Sequence, residues 1–380
     1  MCNQLKINGL DMKRIACLWG LLLICTVGLA QTMWYNPLSA GATGETFVRG
    51  QGWNEDGGNY VRLPQRAQDK VCEPVWRLAN QSAGLSVRFR TDAPTIWVQY
   101  TVTGAHAMPH MPATGVSGLD LYRVSDGAFC FGSYAFGDTV RYSYQVDRPA
   151  QPAQPEEYEL FLPLYNGVKQ LEVGVEEGRQ FAFVPVDRRP AIVVYGTSIA
   201  QGACASRPGM AWTNILQRSL QRPVVNLGFS GNGRLEPELL DFINELPAAA
   251  YVLDCMPNLI HNAEAEVTEL VEKAVRQIRA KHDAPILLVE HAGNSNGATS
   301  QERYESYTKV NRGQQEAYRR LKQAGVKGLH YLSREELDFP ADGWVDYVHP
   351  SDYGMVRQAE AVGRCLRGCV KSTDDDRKIF

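Results

Sequence analysis

Ser198 stands where an apolar, β-branched run gives way to a glycine-bounded turn, in Ala191-Ile-Val-Val-Tyr-Gly-Thr-Ser198-Ile-Ala-Gln-Gly202. The run reads as a buried strand, and a helical pattern over Met210–Leu220 follows it. A serine so placed lies at the carboxyl edge of a parallel sheet, near a helix N-terminus that favours developing negative charge. A serine hydroxyl is a poor nucleophile at neutral pH and needs an adjacent base. His349 offers one, in Asp346-Tyr-Val-His349-Pro350, where Asp346 can hold the other ring nitrogen. This set suits acyl transfer through an acyl-serine. The oxyanion of such a reaction needs fixed donors, and the candidates are the backbone N–H groups of Ser198 and Gly231 and the side-chain amide of Asn258.

The elements that must position these residues are legible in the pattern. Strands are expected at Ile192–Tyr195, Val224–Leu227, Ala250–Leu253, Ile286–Glu290 and Leu329–Leu332. Between them lie helical patterns, the clearest presenting Val267, Leu270, Val271, Ala274, Val275 and Ile278 on one face. Others run over Gln301–Gln323 and from Asp352 to about Leu366. Strands alternating with helices predict a parallel sheet with right-handed crossovers. Ligands bind such a sheet outside the carboxyl ends of its strands. Ser198, the stretch Asn226–Gly233, the stretch Asp254–Asn258 and Asp346–His349 all follow strands, so they should meet at one rim.

Taken together, these four segments resemble the four blocks of the SGNH (GDSL-type) hydrolase family, in the same order. Gly-Thr-Ser-Ile has Gly202 four residues after the serine, Asn-Leu-Gly-Phe-Ser-Gly follows, then Pro-Asn, then Asp-x-x-His. The resemblance covers about residues 190–368. It implies a flavodoxin-like three-layer α/β/α fold and an esterase, lipase, thioesterase or carbohydrate acetylesterase activity. It also implies Ser198 as nucleophile, Asp346 and His349 as the rest of the triad, Gly231 and Asn258 as oxyanion donors, and no cofactor or metal. Thr197 stands where the family pattern has Asp, and Asn258 follows Met-Pro rather than Gly-x. Gly118-Leu-Asp-Leu-Tyr122 resembles the accessory region found beside a subgroup of these hydrolases.

The preceding region, residues 31–185, reads as short alternating strands between Gly, Pro, Asn and Asp turns: Leu85–Arg90, Thr95–Tyr100, Tyr158–Leu162 and Val168–Val173. That predicts an antiparallel β-sandwich, with the hydrolase unit at 186–370 and a polar, disordered tail at 371–380. Residues 1–30 read as a signal peptide: Lys13 and Arg14, the apolar run Ile15–Ile24, then Gly28-Leu-Ala30. Met12 is a candidate start. Ile24 occupies the position before Cys25 where a lipoprotein has Gly or Ala, which favours a cleaved, secreted or periplasmic protein without an integral membrane segment.

A net charge of -3 and the absence of a basic stripe argue against nucleic acid. No cysteine spacing resembles a zinc site. Of the nine cysteines, Cys204 and Cys255 fall near the expected rim and are one candidate disulfide, with two buried thiols as the alternative. Arg207, His291 and His110 are candidate substrate contacts, each against a plainer reading as a surface ion pair, a wall residue or an interdomain contact. The expected substrate is a small ester, acetyl on a glycan, with the oligomeric state open. The alternatives are a non-catalytic glycan-binding surface protein on a hydrolase fold and a lipase or thioesterase.

Overall fold

The computed structural model describes residues 31–40, 44–53, 55, 58–150 and 154–370. The expected signal segment and tail lie outside them. Among the described residues no helix is long and apolar enough to cross a membrane.

Up to Phe183 the chain forms two antiparallel sheets. One runs in the order 32–35, 168–176, 95–102, 140–145, 132–135; the other in the order 181–183, 86–91, 156–161, 120–123, 129–130. Val87, Phe89 and Leu160 of the second sheet share one buried cluster with Ile96, Val98 and Tyr142 of the first. The alternation read in the sequence is the alternation that fills this interior. Helices interrupt the expected strands, at Pro37–Ala40, Glu73–Ala79 and Ala113–Val116. The second of these is opened by Glu73 and Pro74. The Gly118–Tyr122 stretch runs into a strand, Asp120–Arg123.

The second half is a five-stranded parallel sheet: β1 (Ala191–Gly196), β2 (Val224–Gly228), β3 (Ala248–Asp254), β4 (Ile286–Val289) and β5 (Leu329–Leu332). The order is β2-β1-β3-β4-β5, the flavodoxin-like order. Helices cover both faces: α1 (Ser198–Gln201), α2 (Trp212–Leu220), α3 (Pro237–Ile243), α4 (Glu264–Arg279), α5 (Gln301–Gln323) and, past a single turn at Arg334–Leu337, α6 (Asp352–Cys369). Successive residues of β1 point to opposite faces, as a strand requires. Ile192 and Val194 pack with Trp212 and Leu216 of α2 and with Met355 and Val362 of α6. Val193 and Tyr195 pack with Leu239 of α3, Val271 of α4 and Ala317 of α5.

The β-rich region is not appended at arm's length. Leu63, Val71 and Val75 enter the core on one face of the parallel sheet, and Ala83, Val116 and Leu164 enter the other. Arg62, only 2 % exposed, reaches the end of β2. Its guanidinium donates to the carbonyls of Gly228 (2.6 Å), Leu78 (2.6 Å) and Gln81 (2.9 Å) and lies 4.8 Å over the Phe229 ring.

Candidate active site

β1 is an interior strand of the sheet, paired on both sides, with Gly196 opposite Gly228 of β2 and Asp254 of β3. The chain therefore leaves β1 between the segments that follow β2 and β3. Thr197 turns it: its Oγ1 accepts from Ile199 N–H at 3.3 Å, so a hydroxyl caps the turn where the family pattern has Asp. α1 has four residues and ends at Gly202, so the helix dipole expected behind Ser198 is a single turn long.

Ser198 Oγ lies 3.0 Å from His349 Nε2, and His349 Nδ1 lies 2.7 Å from Asp346 Oδ2. The other carboxylate oxygen accepts from the backbone N–H groups of Val348 (2.8 Å) and His349 (2.7 Å). Partial burial pushes the Asp346 carboxyl up. The hydrogen bonds from the His349 ring and from these backbone groups outweigh it, and the carboxyl rests below its ordinary value. Its contribution to stability is thus present above the unfolded-state pKa and lost as pH falls through the lower folded one. A hydroxyl, an imidazole and a carboxylate in line can pass a proton from oxygen to nitrogen and hold the resulting cation.

Gly231, with φ +69°, has open space where a side chain would stand, so backbone conformation and not crowding explains the glycine. Crowding acts two residues later. A Cβ on Gly233, at φ +73°, would lie 2.1 Å from the Gly196 carbonyl oxygen. This glycine lets the loop after β2 close onto the Ser198 turn. Gly233→Ala is expected to cost about 2–4 kcal/mol, from left-handed strain plus the clash, measured as a lowered urea midpoint at unchanged slope. Asn258 closes a short 3-10 turn after β3, and its Nδ2 donates to the Asn232 carbonyl. The amide's second N–H remains to be directed elsewhere.

His110 comes to the site from the β-rich region. Its exposed ring stands 5.9 Å from that of His349, at 25°. Two other candidates are engaged by other partners. His291 is 1 % exposed, and burial first, then Arg334, pushes its pKa down to about 3; it is a neutral core histidine, packed on Tyr307 and accepting from Gly293 N–H at 3.0 Å. Arg207 is committed to Asp120 Oδ2 (2.7 Å) and Tyr122 OH (2.6 Å). The disulfide does not form either, because all six described cysteines are free. Cys255 Sγ meets the Tyr195 carbonyl at 3.5 Å. The ligating atoms of Cys204, Asp346 and His349 lie within 4.8 Å of one another. Burial, helped by Asp346, pushes the Cys204 thiol up to about 12, so at neutral pH it stands beside Asp346 as a protonated thiol and not a thiolate.

Three further side chains, to which the sequence reading gave no role, lie around these segments. Tyr165 OH approaches the Ser198 carbonyl at 3.4 Å. Gln201 accepts from Ser230 N–H at 3.0 Å and donates to Gln81 at 2.6 Å, tying the β2 loop to the β-rich region. Asp254 is buried at the end of β3 with one hydrogen bond, from Gln358 Nε2 at 2.8 Å, and burial pushes its carboxyl up to about 7. An acid raised in the folded state contributes most at low pH and loses that contribution as pH climbs from its unfolded value of about 4 to its folded one. Asp254→Asn should therefore be less destabilising, or more stabilising, at pH 8 than at pH 4.5, as read by urea unfolding at both.

The family model described as the GDSL-like lipase/acylhydrolase family matches residues 189–367, and one described as the N-terminus of Esterase_SGNH_hydro-type matches 32–181. No curated protein matches the chain. Among solved structures, a protein assigned as a GDSL-like lipase from Bacteroides ovatus ATCC 8483 is 30% identical, with 89% of this chain and 98% of that one covered and a TM-score of 0.79. A salicylyl-acyltransferase from a tetracycline biosynthetic pathway shares the fold at 21% identity, covering 84% of this chain and 94% of that one, with a TM-score of 0.63. The chain belongs to the GDSL-like lipase/acylhydrolase family, among those members that carry the N-terminal region of SGNH-type esterases.

Proposed function

We propose that this protein hydrolyses a carboxylic ester through an acyl-Ser198 intermediate. The observation that carries the reading is the 3.0 Å approach of Ser198 Oγ to His349 Nε2, with Asp346 on the far ring nitrogen. His349 takes the serine proton as the hydroxyl attacks and returns it to the departing alcohol. Asp346 fixes the tautomer and steadies the imidazolium. The N–H groups of Ser198 and Gly231 and the free N–H of the Asn258 amide receive the oxyanion. Water then repeats the sequence on the acyl-enzyme.

The substrate we infer is a small acyl group, acetyl, on a glycan outside the cytoplasm. Export is supported by Lys13, Arg14 and the apolar run that follows them. The sugar alcohol is supported by polar side chains at the site: Asn258 and Asn232, linked by hydrogen bonds to the Asn232 and Ser230 carbonyls, and the exposed His110 beside His349. The test is a panel of p-nitrophenyl esters from acetate to palmitate beside acetylated polysaccharides, with released acetate measured. Acetate is expected to lead. A preference for long chains would replace the reading with a lipase or thioesterase, and inertness throughout would favour a binding protein.

A further inference from the structure

We propose that the Gly118-Leu-Asp120-Leu-Tyr122 stretch is a clamp that sets the placement of Ser198 relative to His349. The proposal rests on the reading of Ser198 as nucleophile and gives the β-rich region a part in catalysis. The loop from Ala203 to Ala211 joins α1, which begins with Ser198, to α2. It is gripped from two sides. On one, Asp120, 3 % exposed, accepts from Arg207 Nη1 at 2.7 Å and from Gly209 N–H at 2.6 Å. The Tyr122 hydroxyl also takes Arg207 Nη1 at 2.6 Å, and Thr114 Oγ1 donates to the Ser206 carbonyl at 2.8 Å. The fit leaves no slack: a Cβ on Gly209 would lie 2.7 Å from Asp120 Oδ2 and 2.5 Å from the Tyr122 ring.

On the other side, Ser206 donates its N–H (2.8 Å) and its hydroxyl (2.5 Å) to the two oxygens of Asp352. Asp352 opens α6, three residues after His349. The loop thus ties the turn that carries the hydroxyl to the segment that carries the imidazole, and the Asp120 carboxylate holds its shape. A buried ion pair is a poor source of net stability, since an apolar replacement of similar volume often does as well. What Asp120 and Arg207 impose here is one geometry for the loop. A displacement of about 1 Å between reacting groups can cost about 10²-fold in rate.

The experiment compares wild type with Asp120→Ala, the near-isosteric Asp120→Asn, and Arg66→Ala. Arg66 bridges the same two regions through Glu245, which lies just before β3 and so at the opposite end of the parallel sheet. Readouts are kcat and KM on p-nitrophenyl acetate, the rate of fluorophosphonate labelling of Ser198, and near-ultraviolet circular dichroism. Asp120→Ala is expected to lose about 10²-fold in kcat and in labelling rate with KM changed less than about threefold. Asp120→Asn, which keeps an acceptor for Gly209, should recover about tenfold of that, and Arg66→Ala should match wild type. Asp120→Asn is an independent arm should the alanine variant not fold. Folded Asp120 variants within twofold of wild type overturn the clamp, as does an equal loss in Arg66→Ala. If wild type neither hydrolyses nor labels, the nucleophile reading falls and the clamp with it.

Discussion

Ser198→Ala is expected to lower kcat on p-nitrophenyl acetate by about 10⁴–10⁶-fold and to abolish covalent labelling by a fluorophosphonate. The size follows from what is removed. Without Oγ no acyl-enzyme forms, and the reaction must proceed by direct attack of water, assisted only by the oxyanion donors and by binding. His349→Ala should be nearly as damaging, because Oγ at 3.0 Å from Nε2 then has no acceptor for its proton. The two losses should not add. A base without its nucleophile and a nucleophile without its base are defective in the same step, so the double variant should resemble either single one. Ser198 is 8 % exposed and makes no packing contribution that one oxygen atom would decide, so the fold should persist in the alanine variant, with circular dichroism unchanged. Residual turnover within tenfold of wild type, on protein free of contaminating esterase, would falsify the mechanism.

The hydrolase half of the fold was legible because each of its strands is a short apolar run and each main helix a stripe of regular spacing. The flavodoxin-like order needed the resemblance, since strand periodicity says nothing about neighbours. At the site, Ser198, Asp346 and His349 could be read because Ser198 follows a strand and the other two lie between the last strand and the last helix, and the rule for parallel sheets brings such positions together. What stayed hidden depends on pairing across the chain. Arg207 and His291 follow strand ends or turns just as His349 does. Only the fold shows Arg207 turned onto Asp120, and His291 folded under the rim beside Tyr307. Arg62 carries no motif: an arginine among Pro, Leu and Val reads as surface, yet its guanidinium is buried against four backbone carbonyls. The reason for a glycine was equally out of reach. Gly231 and Gly233 look alike in sequence, but a side chain would find open space at the first and a carbonyl oxygen at the second.

Asp346→Asn should be worse for turnover than its modest chemical change suggests, at about 10³–10⁴-fold in kcat near neutral pH. The reason lies in how the carboxylate is held. One oxygen is fixed by the backbone N–H groups of Val348 and His349, which only an acceptor can satisfy. An asparagine must therefore turn its carbonyl oxygen towards them, and its NH₂ then faces His349 Nδ1. Two donors cannot share that contact, so the imidazole is driven to the tautomer with its proton on Nε2. That nitrogen points at Ser198 Oγ, and a protonated Nε2 cannot accept the serine proton. Asp346→Ala removes the anion but imposes no tautomer, so it is expected to retain more activity than the isosteric asparagine. This inverted ranking, alanine above asparagine, distinguishes tautomer control from simple loss of charge, which would rank the two together. Steady-state kinetics on both variants decides it, with fluorophosphonate labelling rates as a second reading of the same hydroxyl. Asparagine within tenfold of wild type would mean that His349 is oriented by other contacts, and that Asp346 serves the loop and not the proton transfer.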